Sequence, residues 1–422
     1  MQIKNYCAII CIYDSSEGCL STLVGIDKEY GMENNDLRKF EINEEEEKER
    51  KKKAAIIIAR RRKRRGRKLF LLLLILVMTG IMLTTTTYAW FTSNKTVSVS
   101  DVQVNVASKN GIQISADGTN WKSIIQLSDL TGAQATYPAA VNQIPDTANT
   151  IEPVSTGFNV DSNGRMEMFY GTIESSEFTG SCSSGDTYTT ESTCTAAGGI
   201  WTPSTEGQYI LTATKETDTH GTTGKYVAFD LFFRVDALTQ VYLAAEGSGV
   251  TATGADTGIK NASRIAFVEL GNTASGSSLT TIQGLNAGAA ATVYSWEPNY
   301  DIHTASGVSN ANDVYGITTT EAGGDLIPYS GVIAEVPRAT NVLLGKATQD
   351  DYSTLFKDVT PTYSTVFGWT GTKAIFSLQP GITKMRIYMW VEGQDVDCEN
   401  NASGTDISYN VQLSTQSSAA GN

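Results

Sequence analysis

Lys225-Tyr-Val-Ala-Phe-Asp-Leu-Phe-Phe-Arg-Val-Asp236 decides the fold class. Val227, Phe229, Leu231, Phe233 and Val235 fall on one face, with Ala228, Asp230, Phe232 and Arg234 on the other, the period-two pattern of a half-buried strand. The same alternation returns at Lys384 to Val391, where Met385, Ile387, Met389 and Val391 alternate with Lys384, Arg386, Tyr388 and Trp390, and at Tyr409, Val411 and Leu413. Further strands are expected at Val97 to Ala107, Ile112 to Ala116, Trp121 to Leu127, Tyr209 to Thr214, Gln240 to Ala244, Arg264 to Leu270, Thr292 to Trp296 and Lys373 to Leu378. Asn110-Gly111, Asp117-Gly118 and Pro380-Gly381 punctuate them as turns. No stretch after Phe91 carries an amphipathic helix of three turns. The sequence therefore predicts an all-β domain of two packed antiparallel sheets, a β-sandwich or jelly roll. Its excess length falls in Gly/Ser/Thr-rich insertions at Ser175 to Glu206, Glu246 to Asn261, Gly271 to Ala290 and Ser306 to Gly324, read as long loops on a single core, with a second small domain left open.

Upstream, the material changes. Arg60, Arg61, Arg62, Lys63, Arg64, Arg65, Arg67 and Lys68 precede an apolar run from Leu69 to Leu83, followed by Thr84 to Thr87 and Tyr88-Ala-Trp-Phe91. A basic flank of this kind stays on the cytoplasmic side, so everything beyond the junction is expected outside the cytoplasm. Two readings of residues 69–89 stay open: a signal-peptide core cleaved between Ala89 and Trp90, where Thr87 and Ala89 form a small-x-small site, or a single transmembrane helix that keeps residues 69–91 in the membrane. Residues 1–68 form a cytoplasmic leader. Met32 offers a start that would leave residues 1–31 untranslated.

Charge divides at the same junction. Residues 1–68 hold 17 Lys+Arg and 12 Asp+Glu, which leaves 15 and 33 for the rest and a net charge of about −18 on the expected extracellular part. A surface this acidic, without a basic stripe, excludes nucleic acid as a partner class and describes a self-repelling body. Cys182 and Cys194 bracket eleven polar residues and are expected to form a disulfide closing a surface loop, in keeping with export. Cys398 is left as a buried thiol or an intermolecular pair.

Motifs for catalysis are missing. The chain holds two histidines, His220 and His303, both read as isolated in polar loops, and lacks a Gly-x-Ser-x-Gly elbow. Gly345-Lys346 is followed by Ala347, so no phosphate loop forms. The reading is therefore not an enzyme. The acidic stretch Glu392, Asp395, Asp397, Glu399 and Asp406 is expected to be a solvated hairpin loop, with Asp395, Asp397 and Glu399 as candidate ligands for Ca²⁺, the one candidate cofactor. The sequons at Asn94, Asn261 and Asn401 are at chance frequency for this composition.

Thr86-Thr-Tyr-Ala-Trp-Phe91, followed by the strand at Val97 to Ala107, resembles the export junction of the TasA/camelysin group of Gram-positive surface proteins. The ending Tyr388-Met-Trp-Val-Glu-Gly-Gln-Asp395 with Tyr409-Asn-Val-Gln-Leu413 is similar to the closing hairpin of exported proteins with that signal. The resemblance covers the two ends of the chain. It implies a jelly-roll fold, cleavage by a specialised signal peptidase and self-assembly into biofilm-matrix filaments. A physical means is present: Val97 and Val99, then Val102, Val104 and Val106 after a register shift, form a bulged strand that could be donated to the open sheet edge of a neighbour. The expected function is thus a structural or adhesive cell-surface protein. The alternatives are a carbohydrate- or ligand-binding module using Trp121, Trp201, Trp296 and Trp369, and an exported hydrolase with unidentified acidic residues.

Overall fold

In the computed structural model the chain divides into two units, residues 1–84 and 85–422. The structure describes residues 52–53 and 96–415, except 108–110, 146–149, 175–179, 189–190, 204–209, 219–220, 222, 254–256, 314–328, 341–351, 366–368 and 399–404. Of the leader only the helical Lys52 and Lys53 are described; the segment 69–89, the Ala89-Trp90 junction, His220, Glu399 and the sequons at Asn94 and Asn401 lie outside the described residues. Among the described residues no helix is long and apolar enough to cross a membrane.

The larger unit is built from strands, numbered here in chain order. One sheet runs β19 (Ala374–Leu378), β11 (Thr239–Leu243), β21 (Asp406–Ser414), β1 (Val97–Ala107), β3 (Ile124–Gln126), with β12 (Gly249–Ala252) also on β21 and β4 (Thr150–Ile151) also on β1. A second runs β18 (Tyr363–Ser364), β14 (Thr292–Glu297), β13 (Ser263–Thr273), β20 (Gly381–Val391), β10 (Val227–Val235), β2 (Gln113–Ser115). Alternation explains how they meet. Val227, Phe229, Leu231, Phe233 and Val235 belong to the same hydrophobic cluster as Val102, Val104, Val411 and Leu413 of the first sheet. The two inner faces thus share one core.

The outer face of β10 corrects the sequence reading. Ala228, Asp230 and Phe232 are fully buried, and every residue of β20 is buried, so the half-buried strand is in fact covered on both sides. The cover comes from a third layer. A four-stranded sheet, β16 (Val336–Thr340), β9 (Ile210–Glu216), β6 (Met168–Glu174) and β5 (Val154–Ser155), supplies Met168 and Val154 to a cluster with Ala228, Ala266, Tyr388 and Trp390. Met168-Phe-Tyr-Gly-Thr-Ile-Glu174 lacks clean alternation, which is why the sequence did not mark it as a strand. A smaller cluster joins Phe169, Leu211 and Val336 to Tyr329, Val332, Phe356 and Val359 of a ribbon, β15 (Tyr329–Val332) with β17 (Phe356–Val359). The strands of this layer come from segments between and beside the four insertions, which themselves carry β12 on the first sheet, the disulfide ribbon and short helices.

Other boundaries shift for local reasons. Leu127 was expected to close a strand, yet it opens the helix Leu127–Gly132, because Gln126 and Asp129 form a capping box there. Helices within the insertions are short, as at Leu279–Gln283, where the Ser278 side chain accepts from Thr281 N. Pro380-Gly381 turns as expected. Gly381 has φ +117, and a Cβ there would come within 2.2 Å of Thr273 O. The last ribbon, β7 (Gly180–Cys182) with β8 (Trp201–Pro203), carries the Cys182–Cys194 disulfide, Cα–Cα 5.6 Å, with Cys194 on the helix Glu191–Ala196. Gly199 sits against both sulfurs, where a Cβ would come within 2.6 Å of Cys182 Sγ.

Pairing between β1 and β21 departs from the all-antiparallel expectation. They run parallel from Ser98↔Asp406 to Ala107↔Ser414. Parallel neighbours need a long crossover, and here almost the whole domain serves as one. β14 and β18 are also parallel.

Candidate assembly site and buried ionic centres

The five valines named from the sequence line one buried face of β1. Val97, Val99, Val102, Val104 and Val106 are between 0% and 7% exposed, and the register shift falls between Val99 and Asp101. Ser100 is the extra residue. It points outward, donates to Ile407 O at 3.2 Å and lies 2.8 Å from Ser408 Oγ, which lets the valines before and after it both face the core. β1 is here seated in its own sheet. Its far side is covered only in part: β3 pairs with Gln103 to Asn105 and β4 with Val97 and Ser98. β21, in contrast, is flanked on its other side by β12 and β11, so removing β1 would open one edge of an otherwise paired central strand.

Two ionic centres are buried around the six-stranded sheet. In the first, Asp230 of β10 faces Arg386 of β20 across the register pair Asp230↔Arg386. Arg386 Nε donates to Asp230 Oδ1 at 2.8 Å; Lys384 Nζ donates to Tyr137 OH at 2.7 Å and Gln283 O at 2.9 Å; Tyr137 OH donates to Asp230 Oδ2 at 3.0 Å. Asp218 accepts from the hydroxyls of Tyr226 and Tyr388. Burial alone would raise the Asp230 carboxyl, but Arg386 and Lys384 outweigh it and hold it below the usual carboxylate range. Burial pushes the Asp218 carboxyl up, against the pull of the guanidinium of Arg386 and that of Arg165, so cations match or exceed carboxylates in this centre.

The second centre lies where β13 begins and β14 and β20 end. Arg264 Nη2 bridges Glu297, at 2.5 Å, and Asp395. His303 Nδ1 is 3.0 Å from Asp397 Oδ2, whose other oxygen accepts from Thr304 N at 2.9 Å and Thr304 Oγ1 at 2.8 Å. Asp395 Oδ1 accepts from Asp397 N. Glu392, fully buried, accepts from Trp390 Nε1 at 3.1 Å and Gln394 N at 3.0 Å. Burial pushes both Glu297 and Glu392 up to about 7. His303 is also raised: burial opposes its charge most strongly, but the hydrogen bond to Asp397 together with the charges of Asp397, Asp395 and Glu297 outweighs that.

This overturns the solvated-loop reading of Glu392, Asp395 and Asp397, all of which are buried; Asp406 is exposed. Of the proposed Ca²⁺ ligands, Asp395 and Asp397 have each oxygen engaged by protein partners. His303 was read as isolated and is buried in this centre, while Arg264 and Glu297 were missed. Their signal was a charge at the end of an otherwise apolar strand. Asn261 is buried, which closes that sequon to modification. Cys398 is buried in the main core. The tryptophans separate: Trp296 lies in the main core with Trp369 against it, Trp121 lies under Arg234 and Trp201 is in the disulfide ribbon. Glu297 and Asp395 are the close carboxylate pair a hydrolase would need, but Arg264 bridges them and both are buried.

Comparison with protein-family models, characterised proteins and solved structures found no match for this chain.

Proposed function

We propose that the chain is an exported cell-surface protein of structural or adhesive role, a jelly-roll-like sandwich behind an amino-terminal signal or anchor helix, and that it assembles into filaments by exchanging β1. The observation that carries this reading is the seat of β1: the first strand after the export segment completes the main core with five valines while paired in parallel to the last strand. A copy of the same strand from a neighbour fits the same seat with the same contacts. Fully burying one valine contributes roughly 1.5 kcal/mol, so the row contributes on the order of 8 kcal/mol, gained equally in cis or in trans. Exchange then costs little at equilibrium, and high local concentration at a cell surface favours the chain of head-to-tail contacts.

The test is assembly of the chain without Trp90 to Val106, followed by electron microscopy. Loss of filaments in a shortened chain whose fold a peptide spanning Thr96 to Ala107 restores, under conditions where the full chain forms them, supports strand exchange. Filaments formed as readily without the strand would overturn it.

A further inference from the structure

The two ionic centres differ in one respect: the second carries an excess of buried acid. Glu297, Glu392, Asp395 and Asp397 face two cationic groups, Arg264 and His303, and all six are at most about 6% exposed. Arg264 is committed to Glu297 and Asp395 through a single nitrogen, and His303 to Asp397. Arg264 Nε, Glu297 Oε2 and His303 Nε2 have no hydrogen-bond partner among the described residues. Glu392 has no direct cationic partner among them. It is left with the Trp390 indole, one backbone N–H and the Ser155 hydroxyl.

The position of Glu392 links it to the third layer. It follows β20 directly, and the chain there bridges to Val154, Gly393 N donating to Val154 O at 2.9 Å. Ser155, which hydrogen-bonds Glu392, also accepts from Val332 N of the β15–β17 ribbon at 3.3 Å. Gly157 N donates to Val332 O at 2.9 Å, and Gln394 Nε2 to Ser330 O at 3.1 Å. Tyr329, from the same ribbon, faces Arg264 with its ring centroid 5.7 Å from the guanidinium. Packing here has no slack: a Cβ on Gly331 would come within 2.0 Å of Thr156 O.

We propose that Glu392 and Glu297 form a proton-operated fastener that holds the β15–β17 ribbon and the neighbouring 154–157 segment against the end of the six-stranded sheet, closed when the two carboxyls carry protons and loosened when they ionise. The charged and titratable groups facing them are Arg264 from β13, His303 from the segment after β14, Asp395 and Asp397 from the turn after β20, and Tyr329 from β15. With both glutamates ionised, four buried carboxylates face at most two cations, Arg264 and a protonated His303, and an unpaired buried charge is costly. Protonation of the glutamates restores balance. The elevated positions of both carboxyls agree with that arithmetic.

The experiment is hydrogen–deuterium exchange of the full-length chain at pH 5.5 and 8.5, corrected for intrinsic rates. Protection of residues 329–332 and 154–157 is expected to fall at least tenfold at the higher pH while β13 and β20 keep theirs, and Glu297→Gln with Glu392→Gln is expected to cut the difference to less than threefold, the remainder belonging to His303. Equal protection at both values, loss spread evenly over β13 and β20, or a difference undiminished in the double variant would each overturn the proposal. A carboxyl ¹³C titration of the wild-type protein stands independently of whether the variant folds. Two glutamates titrating near neutrality support the fastener; all glutamates titrating in the ordinary range overturn it.

Discussion

Ser100 and Ser408 place their hydroxyls 2.8 Å apart across 308 residues of chain, at the bulge where β1 meets β21. The first and last strands thus close the domain on each other, and the bulge sets the register that buries all five valines. Strand exchange as proposed requires that β1 can be supplied to this seat by a second chain.

Separability predicts complementation. Deleting Trp90 to Val106 removes on the order of 8 kcal/mol of apolar burial, comparable with the whole stability of a domain, so the shortened chain should melt far below the parent. A synthetic peptide spanning Thr96 to Ala107 should restore Tm in a concentration-dependent way. The same peptide with Val104→Asp should not, because its carboxylate would enter the main core opposite Val411 without a partner. No recovery with the native peptide would mean that β1 cannot be supplied in trans.

Much of this strand was legible in advance, and the reason is local. Val97, Val99, Val102, Val104 and Val106 carry both the alternation and its interruption, so bounds and bulge follow from the sequence. Its parallel partner does not: nothing near Asp406 to Ser414 records which strand lies alongside. The third layer was hidden for a different reason. Asp230, Lys384 and Arg386 look like a solvent-facing row, and only the fold brings Met168 over their neighbours Ala228 and Tyr388 and sets Tyr137 and Gln283 against Asp230 and Lys384. Glu297 and His303 are six residues apart in sequence, but their shared centre is made by Arg264 and the 392–398 turn.

At the first centre, removing one partner should cost more than the pair contributes. Asp230→Ala leaves Arg386 and Lys384 buried without their carboxylate, and the expected loss is about 3–5 kcal/mol in chemical denaturation. Lys384→Met keeps the Asp230–Arg386 pair and should cost clearly less. Equal losses for the two variants would show that the centre does not act through the Asp230–Arg386 pair.

The disulfide belongs to a peripheral ribbon, so its contribution should be local. The chain-entropy model gives roughly 3 kcal/mol for a loop of this length. Cys182→Ser with Cys194→Ser should open the segment 180–203 to proteolysis while leaving the main thermal transition within a few degrees. A large fall in Tm would place the ribbon inside the cooperative core.

Stability should pass through a maximum in mildly acidic solution, and each limb has its own cause. Asp230 is held below its ordinary value, so its contribution is present above about pH 4 and is lost as pH falls through its folded-state value. Glu297 and Glu392 are held at about 7 rather than 4.5, so their contribution is complete below about pH 4.5 and is lost as pH rises through 7. Each is an upper bound on the order of 3 kcal/mol, reached only if the unfolded chain titrates normally. His303 adds in the same direction, since its folded value is also raised. Denaturant midpoints measured from pH 3 to 9 should therefore rise and then fall. With Glu297→Gln and Glu392→Gln together the alkaline limb should flatten while the acid limb remains, because a neutral amide no longer loses a proton at the sheet end whereas Asp230 still gains one beneath its guanidinium. An alkaline limb unchanged by both substitutions would assign it to other groups and remove the excess-acid account of the second centre.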